Sequence, residues 1–417
     1  MKNRKIAASV SSLSQKKIGR IIVFTGARQT GKTTLARKLF SDYRYLSIED
    51  PVTRQEYKKL TAAQWHLLFP KAVLDEVQKE SVLVESIKSA YDQFPDVRYI
   101  LLGSSQLLLL EKVKESLAGR CSLIELFPLT VPEIQTSDWE EPVRDSPFQL
   151  YLNDHRRFSF IPSFLLDSSL ATKQAAWDFY AQYGGYPALC DDTMSRDDRY
   201  TWLKNYAATY LQRDIRDMAN FRDFEPFVKL QKYLALQTGG ILNLTHAANQ
   251  IGVDVKTVSR YLRYFELSYQ ALLLPAWARN GQKRLSKSPK FHYLDNGVLQ
   301  AVLQKRGGTT GNEFESLVVA EIYKQCRTAG TAASFYHLHT HDGFEIDLLI
   351  ELPDGYIAFE IKQSERITSS DARHLKNLAP LLDKPLLQGF LVSNDRQMKE
   401  LAPGITAVNA AWFLSGD

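Results

Sequence analysis

The segment GARQTGKT, from Gly26 to Thr33, constrains the fold of this chain more than any other part of the sequence. It follows four β-favouring apolar residues, IIVF, and it precedes a helical pattern with apolar periodicity. A strand, a glycine-bracketed loop and a helix in this order are typical of a P-loop, whose backbone N–H groups surround phosphate oxygens. The pattern therefore predicts an α/β domain that binds a nucleotide.

The positions of this loop have separate predicted roles. Side chains at Gly26 and Gly31 would block the phosphates, and the positive end of the following helix adds to the attraction. Lys32 is expected to reach the β- and γ-phosphates of ATP, and the Thr33 hydroxyl is expected to complete the shell of Mg²⁺. The predicted nucleotide-binding residues of the loop are Gly26, Ala27, Arg28, Gln29, Thr30, Gly31, Lys32, Thr33 and Thr34.

An acidic pair, Asp75 and Glu76, ends a second apolar strand in the segment KAVLDEVQK. Asp75 is expected to hold the magnesium shell, and Glu76 is expected to polarise the attacking water. Such pairs are common after strands, so this interpretation depends on the position of the pair after GKT. A further strand ends at Ser104 and Ser105, one of which would sense the γ-phosphate, and the sequence leaves the choice open.

Arg120 stands in SLAGR, immediately before a fifth predicted strand. An arginine at this place suits an arginine finger, which reaches the γ-phosphate bound to a neighbouring subunit. The alternative is an ordinary ion pair with a surface carboxylate. The finger interpretation predicts self-association into a ring, with a hexamer as the preferred size.

The order GARQTGKT, LDEVQ, LLGSS, SLAGR and FPLT resembles that of prokaryotic AAA+-like ATPases in which a winged helix and a PD-(D/E)XK nuclease-type domain follow the P-loop domain. YGGYPAL and TYLQRDIRDM resemble the helical region of that family, where Arg213 would touch the nucleotide or a subunit interface, or form a helical ion pair. The resemblance implies a multidomain α/β fold. The expected divisions are a basic N-terminal arm (1–20), a P-loop AAA+-like ATPase domain (21–130), a helical lid (131–222), a winged-helix domain (223–295) and a PD-(D/E)XK nuclease-like domain (296–417).

Positive charge is clustered in the expected winged helix. The helix DVKTVSRYLRYFELS follows another helical pattern after a short turn, which is helix-turn-helix spacing. Two apolar segments, ALLLPAW and KFHYLD, would form the wing, and the basic joint between them extends to Lys290 and contains no acidic residue. DNA contact is the main interpretation, and subunit packing is the alternative. The predicted DNA contacts are Lys256, Thr257, Arg260, Arg263, Arg279, Lys283, Arg284 and Lys287.

From Gly311 the pattern becomes helix, three strands, helix and strand, the core order of PD-(D/E)XK nucleases. In the resembled family, Asp347, Glu360 and Lys362 fall at the acidic and basic positions of the site. Residues that alternate along a strand share a face, so Glu360 and Lys362 are expected side by side. Glu315, Asp347 and Glu360 are predicted to bind Mg²⁺, with Mn²⁺ as an alternative, while Lys362 orients a water. A nuclease fold kept only for DNA binding or packing is the competing interpretation.

Composition bounds the function more loosely. The chain has 417 residues, 44% hydrophobic and 24% charged, and a net charge of +5, which are values of a multidomain globular protein. Three widely spaced cysteines and the absence of a long apolar run suggest a cytoplasmic protein without a membrane anchor. The sequence thus predicts an oligomeric ATPase that remodels duplex or branched DNA and has a nuclease-like domain. The alternative is an ATP-controlled regulatory switch whose nuclease-like domain does not cleave.

Overall fold

A computed structural model of the chain describes residues 1–80, 82–103, 116–155, 158–210 and 224–417. The statements below refer to these residues. Ser104, Ser105 and Arg213, together with the side chain of Lys283, lie outside the described residues.

The first sheet contains five parallel strands. They are β1 (Ile21–Thr25), β2 (Arg44–Ser47), β3 (Lys71–Asp75), β4 (Arg98–Leu102) and β5 (Cys121–Glu125). Their order across the sheet is β2-β3-β4-β1-β5. Every residue of β1 is buried, because helices cover both faces of such a sheet. The parallel arrangement brings the carboxyl ends of β1 and β3 to one edge, with β4 between them.

Five helices accompany this sheet. They are α1 (Ala7–Ser14), α2 (Lys32–Leu39), α3 (Pro51–Lys58), α4 (Ala62–Leu68) and α5 (Val82–Gln93), with short 3-10 turns at Lys17–Gly19 and Val77–Lys79. Ile6 and Val10 pack in the same core as Phe24 of β1. Arg4 is buried, and its Nε lies 3.4 Å from Oε1 of Glu133. The segment 1–20 therefore packs on the first sheet through these apolar side chains, and the expectation of a separate basic arm is corrected.

The middle of the chain is helical. It contains α6 (Val131–Gln135), α7 (Pro147–Asn153), α8 (Leu170–Tyr183) and α9 (Arg196–Asn205), 3-10 turns at Phe164–Leu166 and Pro187–Cys190, and a π-helical turn at Tyr206–Tyr210. After α8 the backbone passes very close to the segment that follows β5. Leu129 N donates to the carbonyl oxygen of Gly185 at 2.6 Å, and a Cβ at Gly185 would lie 2.1 Å from the carbonyl oxygen of Leu129. Only glycine permits this approach.

Three helices and a small antiparallel sheet follow, and we call residues 224–293 the three-helix unit. The helices are α10 (Glu225–Leu236), α11 (Leu244–Ile251) and α12 (Val255–Leu267), and the strands are β6 (Gly240–Ile241), β7 (Ala271–Leu274) and β8 (Lys290–Tyr293). The strand order is β6-β8-β7. A short helix, α13 (Gly281–Ser286), lies in the connection between β7 and β8. The helix α12 and the strands β7 and β8 lie where the sequence patterns placed a helix and two strands, and β6 was not predicted. The winged helix itself stays a prediction.

The last sheet has six strands. They are β9 (Ser334–His339), β10 (Glu345–Leu352), β11 (Gly355–Lys362), β12 (Leu386–Ser393), β13 (Lys399–Ala402) and β14 (Ile405–Asn409), in the order β13-β14-β12-β11-β10-β9. β9, β10 and β11 are antiparallel, whereas β11, β12 and β14 are parallel. The accompanying helices are α14 (Asn296–Leu303), α15 (Gly311–Ala329), α16 (Arg373–Lys376) and α17 (Ala410–Leu414), with a 3-10 turn at Ala379–Leu381.

Two helices of the expected lid, α7 and α8, pack on the C-terminal domain. Phe148 of α7 packs on Phe359 of β11 with ring centroids 5.9 Å apart, and Trp177 of α8 packs on Phe314 of α15 at 6.4 Å. α7 and α8 therefore cover the C-terminal sheet. In the part of the chain described here, no helix combines the length and the apolar character needed to cross a membrane.

Candidate functional sites

The loop between β1 and α2 is shaped by two glycines. Gly26 has a φ of 144°, and a Cβ there would lie 2.1 Å from the carbonyl oxygen of Leu126. Gly31 has a φ of 90° and caps α2. Both conformations lie in the region that favours glycine, and loops of this kind direct successive backbone amides towards a phosphate group.

Lys32 is the buried cation of this loop. Its Nζ donates to the carbonyl oxygens of Gly26 at 2.8 Å and of Ala27 at 2.7 Å. Thr30 Oγ1 also donates to the carbonyl oxygen of Ala27, at 2.9 Å. The ammonium group therefore lies within the loop at the positive end of α2, which suits a phosphate partner. Of the other predicted contacts, Arg28 is half-buried, and Gln29 and Thr34 are exposed.

Asp75 ends β3 beside the loop. Its Oδ2 accepts hydrogen bonds from Thr33 Oγ1 and from the Tyr45 hydroxyl, both at 2.7 Å. Burial and the bond to Asp75 raise the pKa of Tyr45 to about 12, so the phenol remains a donor at neutral pH. The Thr33 hydroxyl and the Asp75 carboxylate are adjacent oxygen donors of the kind that Mg²⁺ prefers. The residues present therefore fit a magnesium–nucleotide complex.

Glu76 follows Asp75 in a sharp turn. Its φ of 59° lies in the left-handed region, where a residue with a side chain is strained and where functional residues are often found. Gln78 Nε2 donates to Glu76 Oε2 at 2.5 Å, and the backbone N–H of Glu76 donates to Asp75 Oδ1 at 3.0 Å. These bonds orient the half-buried carboxylate next to Asp75.

Two tyrosines from outside the ATPase domain contact the loop and its strand. The hydroxyl of Tyr269, which lies just after α12, is 2.7 Å from Thr25 Oγ1 and donates to Glu125 Oε1 at 3.2 Å. The hydroxyl of Tyr206 donates to the carbonyl oxygen of Arg28 at 3.3 Å. Sequence reasoning missed both tyrosines, because no motif marks them. The nucleotide loop is thus in direct contact with the three-helix unit and with the helical region.

Arg120 forms a two-point ion pair with Asp92 of α5. Its Nε lies 2.7 Å from Oδ1, and its Nη2 donates to Oδ2 at 3.2 Å. This surface pair is the alternative that the sequence left open. Because Ile21 of β1 pairs with Cys121 of β5, Arg120 lies at the sheet edge opposite to the nucleotide loop. A finger role would therefore act on the loop of another subunit.

In the C-terminal domain, carboxylates converge on a lysine that comes from the three-helix unit. Lys290 of β8 is 2% exposed, and its Nζ lies 2.6 Å from Glu315 Oε1, 3.1 Å from Glu345 Oε1 and 3.3 Å from Asp347 Oδ1. Burial alone would lower the pKa of Lys290, but Asp347 and Glu315 raise it above its ordinary value, so the amine is charged. We call Glu315, Glu345, Asp347, Glu360, Lys290 and Lys362 the carboxylate cluster.

The remaining members of the cluster lie on β11. Lys362 Nζ is 3.2 Å from Glu360 Oε1, as alternation along the strand predicts, and Nδ1 of His374 is 3.7 Å from the same oxygen. Burial and repulsion from Asp347 raise the pKa of Glu360 to about 8. Asp347 Oδ2 accepts from the backbone N–H of Ile361 at 2.8 Å. Asp347 is therefore held to β11 on one side and to Lys290 on the other.

These residues do not fit the divalent ion that the resemblance implied. The position shared by Glu315 and Asp347 holds the ammonium group of Lys290. Among the described residues, no group of three or more His, Cys, Asp or Glu side chains converges as a metal ion requires. The predicted Mg²⁺ or Mn²⁺ ligands Glu315, Asp347 and Glu360 are thus corrected to partners of lysines. The physical reason is that a neighbouring unit supplies the positive charge.

On the basis of the sequence, Lys290 was grouped with the basic residues that precede β8. Its position at the start of the predicted strand KFHYLD was the one sequence signal of a different environment. Lys290 and His292 alternate in KFHY, and both belong to a strand that is wholly buried. His292 is fully buried 3.9 Å from Glu315 Oε1, and burial, with a further contribution from Lys290, lowers its pKa well below the ordinary value. The imidazole is therefore neutral, and it adds no charge to the cluster.

Five of the predicted DNA contacts lie on the surface of the three-helix unit. Lys256, Arg260 and Arg263 are exposed on α12, and Arg279 and Lys287 are exposed on either side of α13. The remaining described hydroxyl, that of Thr257, is half-buried and donates to Asp254 Oδ2 at 2.9 Å as part of the cap of α12.

Arg284 has a different environment from these cations. Its Nη1 donates to Glu351 Oε2 at 3.1 Å, and its Nη2 lies 3.8 Å from Asp383 Oδ2. The guanidinium group also lies 5.3 Å from the ring centroid of Trp277 and 5.0 Å from that of Tyr336. The prediction that Arg284 contacts DNA is corrected, because this side chain joins the connection between β7 and β8 to the C-terminal sheet.

Three family models match separate parts of the chain. Residues 19–135 match the family model of an AAA domain, and residues 174–308 and 310–413 match two domains of unknown function. An uncharacterized protein of Mycobacterium tuberculosis is 25% identical over 95% of this chain and 81% of its own length. One of Haemophilus influenzae is 21% identical over 86% of both chains. The Walker-type ATPase PABY2304 of Pyrococcus abyssi has a TM-score of 0.46 and 14% identity, and the alignment covers 71% of this chain and 95% of that one.

The environment of Arg284 predicts a role in stability. Replacing it with methionine removes its hydrogen bonds to Glu351 and to the carbonyl oxygen of Ala278, while Lys384 still pairs with Glu351. Arg284→Met is therefore expected to lower the free energy of unfolding by about 2 kcal/mol. The exposed neighbour Arg279 is the matched control, and Arg279→Met is expected to change it by less than about 0.5 kcal/mol. Urea denaturation of both variants measures the difference. Equal stabilities of the two variants would contradict the conclusion that Arg284 joins this connection to the C-terminal sheet.

Proposed function

We propose that this protein, whose residues 19–135 form a P-loop ATPase domain of the AAA type, hydrolyses ATP and uses the cycle to act on DNA held by the three-helix unit. The observation that carries this proposal is the hydrogen bond between Thr25 and Tyr269. Thr25 is the last residue before the nucleotide loop, and Tyr269 follows the helix that carries exposed cations. The two activities would therefore share one contact.

The residues of the loop support the first half of the proposal. Lys32 would bind the β- and γ-phosphates of ATP, and Thr33 with Asp75 would hold Mg²⁺. The bound magnesium–nucleotide supplies the phosphoryl group and neutralises part of its charge. Glu76 would accept a proton from the attacking water, and the bond from Gln78 keeps its carboxylate in one orientation. The half-buried position of Glu76 limits competition from other waters.

Tyr269 supports the link between the nucleotide and the DNA. It has a φ of 58°, in the strained left-handed region, and its ring packs edge-on against Phe127 at 5.6 Å. Its hydroxyl reaches both Thr25 and Glu125, the last residues of β1 and β5. A displacement of the loop during the ATP cycle would change these bonds, and the end of α12 would follow.

The exposed cations of α12 and of the wing connection support the second half. Lys256 lies in the first turn of α12, with Arg260 and Arg263 further along the helix. In helix-turn-helix proteins the corresponding helix enters the major groove, and exposed cations bind phosphates. Arg279 and Lys287 extend the positive surface beyond the helix. Duplex or branched DNA is the proposed partner, and cleavage of it is not part of the proposal.

Removing Lys32 or Glu76 is expected to separate nucleotide binding from hydrolysis. Lys32→Met loses the buried ammonium group and should abolish ATP binding. Glu76→Gln keeps the loop and the Asp75 site, so it should bind ATP normally. Its rate of hydrolysis should fall by a factor of about 100 or more. Fluorescent-nucleotide binding and phosphate release measure the two properties. Lys38→Met, which removes an exposed cation of the same helix, is the control and should behave as the wild type.

Neutralising three cations of α12 is expected to weaken DNA binding. The variant Lys256→Gln, Arg260→Gln, Arg263→Gln should reduce the salt slope of the affinity by about 3, since each lost phosphate contact removes about one released counterion. Fluorescence anisotropy with a labelled duplex at several salt concentrations measures the slope. Lys229→Gln, which changes an exposed lysine of α10, is the control. An unchanged slope in the triple variant would show that these three cations do not contact DNA, and would contradict the proposed role of α12.

A ring with shared active sites is the proposed assembly, with six subunits as its expected size. If Arg120 acts on a neighbouring subunit, Arg120→Ala and Glu76→Gln should each be inactive alone but recover ATPase activity when mixed, because a subunit with Glu76 can receive Arg120 from its neighbour. A mixture of Lys32→Met and Glu76→Gln is the control, since each lesion disables its own subunit's site. Recovery only in the first mixture is expected. No recovery would indicate that the Arg120–Asp92 pair is purely structural.

A regulatory switch is the second candidate, and the Lys290 contacts favour it. A C-terminal domain whose carboxylates are bound to lysines would serve binding rather than cleavage. The rate of ATP hydrolysis separates the candidates. Strong stimulation by duplex or branched DNA supports the remodelling ATPase, whereas slow hydrolysis that is indifferent to DNA supports the switch.

A further inference from the structure

The carboxylate cluster combines side chains from two structural units. Glu315 comes from α15, Glu345 and Asp347 from β10, and these three oxygens lie within 3.3 Å of one ammonium nitrogen. Lys290, which carries that nitrogen, belongs to β8 of the three-helix unit. Carboxylate oxygens from these two elements therefore surround a cation, and that cation is part of the chain.

The carboxylates of the cluster are paired with amines of the chain. Its members are the carboxylates Glu315, Glu345, Asp347 and Glu360 and the amines Lys290 and Lys362. Burial and the neighbouring Asp347 raise the pKa of Glu315 well above its ordinary value even with Lys290 present. A buried carboxylate either takes up a proton, as the raised pKa of Glu315 favours, or is balanced by a neighbouring positive charge, which Lys290 supplies here. Loss of Lys290 would leave Glu315 without an ion-pair partner among the lysines described.

The three-helix unit, which carries Lys290, is bonded to the C-terminal domain at two places. The Thr238 hydroxyl donates to Ser316 Oγ at 2.8 Å, and this bond joins the three-helix unit to α15. On the other side, Trp277 N donates to the carbonyl oxygen of His337 at 2.6 Å, which joins the same unit to β9. β8 therefore has little freedom to withdraw its lysine while the two units remain docked.

The cluster is nevertheless open to small solutes. A cavity of about 500 Å³ reaches it and is lined by Lys290, Glu315, Glu345, Asp347 and Lys362. A hydrated divalent ion could enter such a cavity. Once inside, it would compete with the ammonium group for the same oxygens, because a metal ion needs carboxylate oxygens at 2.0–2.6 Å and two cations repel each other at such distances.

We propose that Lys290 is a built-in cation that takes the place of a divalent ion in the carboxylate cluster, so that the cluster binds either this lysine or a metal ion but not both. While the three-helix unit is docked, the C-terminal domain then holds no catalytic metal. The cluster acts as the joint between the two units. This inference does not depend on ATP hydrolysis or on DNA binding by α12.

Mn²⁺ binding to the full chain tests the proposal. Isothermal titration calorimetry would compare the wild type, Lys290→Met, the double variant Lys290→Met with Asp347→Asn, and the control Lys287→Met, which removes an exposed lysine near β8. We expect Lys290→Met to bind one Mn²⁺ per chain more than the wild type and the double variant to lose that ion. Lys287→Met should match the wild type. A folded Lys290→Met that gains no ion would overturn the proposal.

A second measurement needs no change at Lys290. Thermal unfolding of the wild type and of Asp347→Asn would be followed with and without Mn²⁺. Asp347→Asn should unfold at a lower temperature, since Lys290 loses a partner, and Mn²⁺ should shift both proteins equally, because any effect then comes from the nucleotide loop. A Mn²⁺ stabilisation of the wild type that disappears in Asp347→Asn would show a metal bound despite the lysine, and would overturn the proposal whether or not Lys290→Met folds.

Discussion

The parallel pairing of β1 with β4 and β5 is the constraint on which the functional regions depend. It places Thr25 beside Glu125, so the strand that leads into the nucleotide loop ends level with the strand that leads out of the domain. Tyr269 can bond to both only because these residues end at the same edge. Asp75 reaches the loop from β3, across β4, by the same geometry.

Buried charged side chains join the units of the chain. Lys290 ties the three-helix unit to the C-terminal carboxylates, and Lys324 and Glu321, both fully buried, tie α15 to the end of the ATPase domain. Lys324 Nζ donates to the carbonyl oxygen of Leu129 at 3.2 Å, and Glu321 accepts from the N–H of Val131 at 2.8 Å. A buried charge is costly unless its bonds are satisfied, so such pairs tolerate few alternative arrangements. A motion that begins at the nucleotide loop would therefore either break these contacts or move the joined units together.

Local patterns were read well from the sequence, and long-range charge pairing was not. The P-loop and the strand before Asp75 depend on periodicity and on motifs of adjacent residues. The environments of Arg284 and Lys290 depend on carboxylates far away in the chain. Both were therefore assigned to a DNA-facing joint on the grounds of their neighbours in sequence. The same limitation affected residues 1–20, where a count of basic residues concealed the apolar contacts of Ile6 and Val10.

The sequence by itself determined the chemistry of the nucleotide loop, because Gly26, Gly31, Lys32 and Thr33 act within one short segment whose backbone conformation they impose. It also placed Asp347, Glu360 and Lys362 on neighbouring strands, since alternation decides which side chains share a face. Only the tertiary structure decided what those carboxylates bind. The charge that balances them lies on another unit, and its position follows from how the two units pack, which no local pattern records.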